Sequence, residues 1–367
     1  MDKRELATKE KRVRTFLRKK RLDGVLLSRQ DSFAWFTCGG DNHVVTASEA
    51  GVATLLVMPD RKVLFSNNIE VPRIMDEELA GIDCGVIQYP WHEEKDAKVR
   101  AIKKAVRGLK VASDDGIGGT PLLDADFKAL RYSLTDQEIE RYRALGKDCN
   151  AALEEVGHKL KQGQTEHRIA ADICRAFIAR DIQPFVCLIA ADDRVRKYRH
   201  PIYKNRKATE QVEIVMCGRR GGLILSLTRL IHFGRLPDDL RRKHEACCAV
   251  DAAFNLSTKP GTSLSTVLRN AVSVYRQTGF AQEWTLHHQG GPTGYAGRDV
   301  IATPGDKTRI RPNQAFAWNP SITGTKSEDT ILALKNGIEV LSGPVNWPTV
   351  QAEWKGQTLE RADILVR

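Results

Sequence analysis

A short pattern that occurs twice constrains the fold of this chain more than any other feature of the sequence. Gly163 lies in Lys161-Gln-Gly-Gln-Thr-Glu166, which leads into a predicted helix at residues 169–179. Gly261, 98 residues later, lies in Lys259-Pro-Gly-Thr-Ser263, which leads into a predicted helix at residues 264–278. Two turn-then-helix units at this spacing predict a domain with an internal duplication.

The residues before these units predict a separate domain, because strand-like and helical patterns alternate there, as in α/β proteins. Helices are predicted at residues 3–21 and 94–106, and strands at residues 24–28, 52–58 and 63–66. Thr135 and Glu138 form a capping-box pair, which indicates that a long helix opens the next domain. We predict an N-terminal domain at 1–130, a second domain at 131–345 and a C-terminal extension at 346–367.

The composition is that of a globular protein, with 41% hydrophobic and 28% charged residues among 367. The N-terminus lacks the apolar core of a signal peptide, and the apolar runs are too short to span a membrane, so we expect a cytoplasmic protein without a membrane partner. The eight cysteines include no C-x-x-C pair and are expected to be reduced thiols. The net charge of +11 is densest at residues 194–207, where a solvated surface explains it as well as phosphate binding does, so nucleic acid is not favoured as a partner.

Several segments, in order along the chain, resemble the clan of creatinase, prolidase, aminopeptidase P and methionine aminopeptidase. Between Arg21 and Gly343 these segments are Phe33–Gly39, Glu138-Ile139 with Arg143, Gly163–Glu166, Pro260-Gly261, Gln314–Pro320 and Ser327–Thr330. The resemblance implies an α/β (α+β) protein, in which an N-terminal creatinase/prolidase-like domain precedes a pseudo-two-fold pita-bread domain that cups one site. It also implies a homodimer, because the N-terminal domain covers the partner's site in dimeric members.

In the clan's peptidases, two Asp, one His and two Glu side chains hold two metal ions. The resemblance assigns these five positions to Met216, Ser226, His288, Asn319 and Glu328, with a one-residue gap between the segments of Met216 and Ser226. A thioether, a hydroxyl and an amide do not supply the charged oxygen ligands that hard divalent ions prefer. We therefore predict a degraded metal site and no cofactor. A single ion on His287, His288 and Glu328 is the alternative.

Creatinase, which hydrolyses a small guanidino molecule without metal, suggests how such a site would still work. His200, followed by Pro201, resembles the clan's substrate-binding histidine, and His200, His288 and Glu328 are the predicted catalytic acid/base group. A pocket that has lost carboxylates but kept nearby cations suits an anionic small molecule such as a carboxylate or phosphate. Cationic side chains that point to solvent would explain the same residues equally well. The predicted substrate-binding residues are Arg229, His287, Tyr295, Arg298 and Asn319, with Arg220 and Lys326 as further cations facing the cavity.

Three functions are compatible with these observations. The first is a metal-independent hydrolase or lyase that acts on a small amino-acid-like, guanidino or amide substrate. The second is a non-catalytic pseudopeptidase that serves as a binding module. The third is an Xaa-Pro peptidase with atypical metal ligands, for which Glu210, Glu213, Asp299 and Asp329 are the candidate carboxylates, although Glu210 and Glu213 do not suit the ligand spacing.

Overall fold

The computed structural model describes residues 2–367, apart from the side chains of residues 94 and 95, and has the mixed α/β architecture that the sequence predicts. The chain divides into two compact units. The first runs to Arg131 and takes in Gly221–Leu223, and the second comprises Tyr132–Arg220 and Ile224–Arg367. Within the described residues, none of the helices combines the length and the apolar character needed to cross a bilayer.

The first unit is a sheet with helices packed on it. Its elements are α1 (Lys3–Lys20), β1 (Gly24–Arg29), α2 (Gln30–Phe36), β2 (Ala50–Val57), β3 (Lys62–Asn67), α3 (Glu70–Arg73), β4 (Gly85–Tyr89), α4 (Glu94–Ala105), β5 (Val111–Ser113) and α5 (Ala125–Lys128). The strand order is β4-β3-β2-β1-β5. Leu26, Leu56 and Phe65 on the sheet pack with Ile102 of α4 in one buried cluster, so the apolar runs of the strands form the core.

The second unit is larger. Its elements are α6 (Asp136–Lys159), α7 (Glu166–Ile178), β6 (Gln183–Ala191), α8 (Asp193–Lys197), β7 (Gln211–Arg220), β8 (Leu223–His232), α9 (Asp238–Ser257), α10 (Leu264–Gln277), β9 (Gly290–Thr293), β10 (Gln314–Trp318), β11 (Ser321–Ile322), β12 (Thr325–Lys326), β13 (Asp329–Leu334), β14 (Gly337–Val340), β15 (Thr349–Trp354), β16 (Gln357–Ala362) and β17 (Leu365–Val366). Thr135 and Glu138 form the predicted capping box at the start of α6.

The predicted duplication is visible in this unit. A long helix precedes each repeated turn, and the second helix of each pair is capped by a hydroxyl, from Thr165 for α7 and from Ser263 for α10. Each capping residue also forms an isolated β-bridge to a later segment, Thr165 with Lys207 and Ser263 with Arg309. Each half contributes one four-stranded sheet, in the orders β17-β8-β7-β6 and β14-β13-β10-β9.

The segment predicted as a C-terminal extension is integrated into the second unit. Strands β15 and β16 pair with each other and pack on α9, and β17 runs parallel to β8. Arg361 of β16 is fully buried and forms ion pairs with Asp251 of α9 and Asp329 of β13, at 2.6 and 2.8 Å. The last strands are therefore part of the core.

Candidate functional site

Strand β7 supplies one wall of the candidate site, and its two faces have different surroundings. A Cβ atom on Gly218 would lie 2.6 Å from the sulfur of Cys149 and 2.9 Å from the ring of Phe177, so this face of β7 packs against α6 and α7. Side chains alternate along a strand, and the bulge in this pairing adds its extra residue to β6, between Pro184 and Val186, so β7 keeps its alternation and Met216 points to the same helices. The assignment of Met216 to the first metal-ligand position is therefore wrong.

The opposite face of β7 carries Glu213, Val215 and Cys217, all of them buried. Cys217 meets β8 there, with its sulfur 3.2 Å from the hydroxyl oxygen of Ser226. Val215 thus takes the place expected for the first Asp. Assigning that position to Val215 also removes the one-residue gap that the assignment to Met216 required before Ser226. Neither Val215 nor Ser226 has a carboxylate.

Glu328 lies beside Ser226 and is held by cations and a hydroxyl. Its carboxylate accepts hydrogen bonds from Thr228 at 2.8 Å and Arg298 at 3.0 Å, and the ammonium of Lys326 lies 2.7 Å away. Burial opposes ionisation of Glu328, but Lys326 and Arg298 outweigh it and hold the pKa below its usual value. The side chain is therefore ionised at neutral pH, with both oxygens engaged.

Three histidines converge next to this carboxylate. Nε2 of His287 lies 3.1 Å from Nε2 of His200, and the ring centre of His288 lies 4.8 Å from that of His287 and 5.6 Å from that of His200. Nδ1 of His287 lies 3.2 Å from the hydroxyl of Ser321, which fixes the ring. His200 is exposed and His287 is buried, so the cluster connects solvent with the interior.

The surroundings keep these imidazoles neutral. Burial and then Arg298 lower the pKa of His288 to about 4, while Glu328 acts in the opposite direction. Burial and then Lys326 lower the pKa of His287 to about 2, and they also lower the pKa of His200. At neutral pH, each ring therefore has one nitrogen that can accept a proton.

Asn319 lies against the glycine-rich strand β9 that follows the histidines. Gly290 has φ of 89°, and a Cβ atom there would lie 2.2 Å from the oxygen of Ala317 and 2.9 Å from Oδ1 of Asn319, so only glycine fits. Among the described residues, neither Oδ1 of Asn319 nor Nδ1 of His288 has a hydrogen-bond partner, and both atoms are buried. Such groups call for a partner from outside the chain.

Glu213 is a member of the site that spacing arguments set aside. It is 4% exposed on the face of β7 shared with Cys217. Burial raises the pKa of Glu213 to about 7, against the lowering effect of Lys326 and Arg199. Glu213 can therefore hold or release a proton near neutral pH.

Three predicted residues have other roles. Arg229 is buried and donates to Asp329 and Asn150, at 3.0 and 2.8 Å, as well as to two backbone carbonyls, so it is a structural residue and its assignment to substrate binding is wrong. The hydroxyl of Tyr295 donates to Glu138 at 2.8 Å, which engages it at the start of α6 instead of leaving it for substrate.

Arg220 is the third of these residues. It donates to Asp148 at 2.8 Å and to the carbonyl oxygen of Arg180 at 3.1 Å, so it does not take part in the group around Glu328. Of the cations predicted to face the cavity, Arg298 and Lys326 are the two that contact Glu328.

The donor set does not fit a dinuclear metal centre. Val215 offers no ligand atom, Ser226 and Asn319 offer neutral oxygens, and both oxygens of Glu328 are engaged by Lys326, Arg298 and Thr228. Among the side chains that the structure describes, the one group of metal-ligating residues is His200, His287 and His288, whose nitrogens lie within 4.8 Å of one another. These imidazoles could hold a single ion, but the charges of Lys326 and Arg298 that lower their pKa also repel a metal cation.

Comparison with known proteins places this architecture in a family. The model of metallopeptidase family M24 matches residues 140–340, which is more than half of the chain. A probable dipeptidase PepE from Mycobacterium tuberculosis (strain ATCC 25618 / H37Rv) is 25% identical over 236 residues, which cover 61% of this chain and 62% of that protein. The match thus spans less than two thirds of that relative's length. An uncharacterized peptidase from Staphylococcus aureus (strain MW2) is 21% identical over 86% of this chain and 96% of its own.

Solved structures share the fold over nearly the whole chain. Dipeptidase PepE from Mycobacterium ulcerans has a TM-score of 0.80 at 17% identity and covers 100% of this chain and 99% of its own. The prolidase from Pyrococcus horikoshii OT3 has a TM-score of 0.78 at 18% identity, over 92% and 98%. The N-terminal domain of the FACT complex subunit SPT16 from chickpea has a TM-score of 0.69 at 13% identity, over 93% and 97%. These likenesses confirm the predicted pita-bread fold.

Proposed function

This chain belongs to metallopeptidase family M24, and from that premise we propose that it is a hydrolase that cleaves a C–N bond in a small amino-acid-like, amide or guanidino molecule without a dinuclear metal centre. The main support for the proposal is the set of contacts that the carboxylate of Glu328 makes. In this chain its carboxylate is bound by Lys326, Arg298 and Thr228, next to three neutral histidines. Relatives named as dipeptidases support a hydrolytic activity in general terms.

The proposed chemistry uses side-chain cations in place of metal charge. When water adds to the carbonyl carbon of an amide substrate, negative charge develops on the carbonyl oxygen. Lys326 is a buried cation and Arg298 a partly buried one in the region where this charge would form, and fixed charges in a shielded site stabilise it more than water does. Glu328 fixes the position of both cations.

The proton steps fall to groups that hold or accept a proton at neutral pH. In the proposed step, the oxygen of water bonds to the carbon while a neutral imidazole, that of His288 or His200, accepts the proton. The same imidazole, or the carboxyl group of Glu213, then gives a proton to the nitrogen as the C–N bond breaks. The products are an acid, or urea from a guanidino substrate, and a free amine.

The test is an activity screen of the full chain after treatment with EDTA and desalting. Creatine, 4-guanidinobutyrate, N-acetyl amino acids and an Ala-Pro dipeptide are the substrates, and release of amine or urea is the measurement. We expect turnover of a guanidino or amide compound that EDTA leaves unchanged and that Glu328→Gln lowers by at least about a hundredfold. Glu339→Gln, on an exposed salt bridge with Arg143, is the control and should not change it.

Two other outcomes would replace the proposal. Activity on Ala-Pro that appears only with manganese or cobalt would identify a metal-dependent Xaa-Pro peptidase with atypical ligands. Absence of turnover on every substrate, with small-molecule binding retained, would favour a non-catalytic binding protein. A cytoplasmic location and a homodimer remain predictions from the sequence, and light scattering on the purified chain tests the second.

A further inference from the structure

We infer that the group recognised at Lys326 and Arg298 is a singly charged anion, a carboxylate, which binds where other members of the family hold their metal ions. The inference rests on the proposed function in one respect: the carboxylate would belong to the substrate or product of that reaction. It goes further by naming the charge and the chemical class that the site selects.

Lys326 and Arg298 have buried hydrogen-bond donors that lack acceptors among the described residues. The side chain of Lys326 is 4% exposed, and its ammonium has three N–H donors. Among the described residues, Glu328 is its only ion-pair partner. Nε of Arg298 is buried without an acceptor. Buried donors of cationic groups are costly to leave unpaired, so an anionic oxygen is the expected partner.

The charges of the side chains around Glu328 do not balance. Lys326 and Arg298 contribute two positive charges, and Glu328 contributes one negative charge that both cations share. Arg199, which also lies near, is neutralised by Glu283 at 2.5 Å. Glu213, with its pKa raised to about 7, is only partly ionised at neutral pH. When Glu213 is protonated, one positive charge is left over, and a singly charged ligand neutralises it.

A carboxylate fits the charge of this site better than a phosphate dianion or a neutral amide does. A phosphate dianion would bring an excess negative charge next to Glu328 and Glu213, so a tight phosphate site is not expected here. A neutral amide has the shape of a carboxylate but cannot compensate the charge. Asn319 is 3% exposed, and its buried amide oxygen lacks a donor, which a carboxylate cannot supply, so this atom calls for an N–H or O–H on another part of the same ligand.

The experiment measures binding of three probes to the full chain by ligand-observed NMR: propionate, propionamide and inorganic phosphate. We expect propionate to bind at least about tenfold more tightly than propionamide or phosphate, as for a charge-assisted hydrogen bond in a buried site. Lys326→Met should weaken propionate binding by at least about tenfold and leave propionamide unchanged. Lys335→Met, on the exposed hairpin between β13 and β14, is the matched control and should change nothing.

Lys326→Arg keeps the charge and should retain most of the propionate affinity, which separates loss of charge from misfolding. Arg298→Gln provides a second, independent loss of cation with the same expected result. Equal binding of propionate and propionamide, tighter binding of phosphate, or unchanged binding in both loss-of-charge variants would overturn the inference. Propionate binding through Lys326 without turnover would remove only the hydrolase. Turnover that Lys326→Met and Arg298→Gln leave intact would remove the anion site and the role of these cations in the reaction, but not the hydrolase activity.

Discussion

Two buried ion networks lie side by side in this protein, and adjacent residues belong to them. Asp329 faces the core, where it pairs with Arg229 at 3.0 Å and with Arg361 at 2.8 Å. Glu328, one position earlier, pairs with Arg298 at 3.0 Å and with Lys326 at 2.7 Å. Both carboxylates are buried, and each contacts two cations.

The two networks differ in charge balance and in access. The core network adds Asp251, which pairs with Arg361, so two cations face two carboxylates and the side chains are at most 1% exposed. The network of Glu328 has two cations for one fixed carboxylate, its Arg298 is 14% exposed, and the exposed His200 lies near. A balanced and closed network holds strands together, whereas an unbalanced and accessible one can bind a ligand.

A matched pair of substitutions, one in each network, should give the largest difference in the free energy of unfolding. Asp329→Asn leaves Arg229 and Arg361 with one fewer buried countercharge, so we expect it to lower the free energy of unfolding by about 3–5 kcal/mol. Glu328→Gln, one residue away, should lower it by about 1–2 kcal/mol, because Arg298 of that network is 14% exposed and so is less dependent on its countercharge. Urea denaturation followed by circular dichroism measures both. Equal losses would contradict the distinction between a structural and a functional network.

A smaller effect is expected from the pH dependence of stability at Glu213. Its pKa is raised from 4.5 to about 7 by burial, so the folded protein holds this proton more tightly than the unfolded chain does. Below pH 4.5 Glu213 is protonated in both states, and its contribution to the free energy of unfolding is fully present. This contribution is lost as the pH rises from 4.5 through 7. Relative to Glu213→Gln, the wild type should lose roughly 3 kcal/mol across this window. Parallel stability curves for the two proteins would show that Glu213 has an ordinary pKa.

The smallest effect tests the structural role of Tyr295. Tyr295→Phe removes one hydrogen bond to Glu138 and should lower the free energy of unfolding by about 1 kcal/mol. Propionate binding should not change, because the hydroxyl is engaged at the start of α6. Loss of propionate binding at unchanged stability would return Tyr295 to the ligand site.

Much of the fold could be predicted from the sequence because the signals are local. The capping box at Thr135 and the apolar periodicity of the helices depend on neighbours a few residues apart, and the repeated turns at Gly163 and Gly261 revealed the duplication. The long helix α9 was not predicted. Its inward residues include Asp251 and Asn255, whose partners are distant in the sequence or a turn away, so its apolar pattern is weak.

The site was predicted only in part, because the direction of a side chain decides its role. The ordered motifs located His288 and Glu328, but a one-residue gap assigned the first ligand position to Met216 on the wrong face of β7. The alternation of Glu213, Val215 and Cys217 was the available signal for the correct face. Arg229 was misassigned because its partner Asn150 lies 79 residues away, and no local pattern shows that they meet.

Metal content decides whether side-chain cations replace the metal ions of the family in this chain. The untagged protein is incubated with manganese, cobalt or zinc, desalted, and measured by elemental analysis, with Lys326→Met in parallel. We expect well below one equivalent per chain in the wild type. Two equivalents per chain would contradict it, because a dinuclear centre would then form despite Ser226, Asn319 and the ion pairs of Glu328.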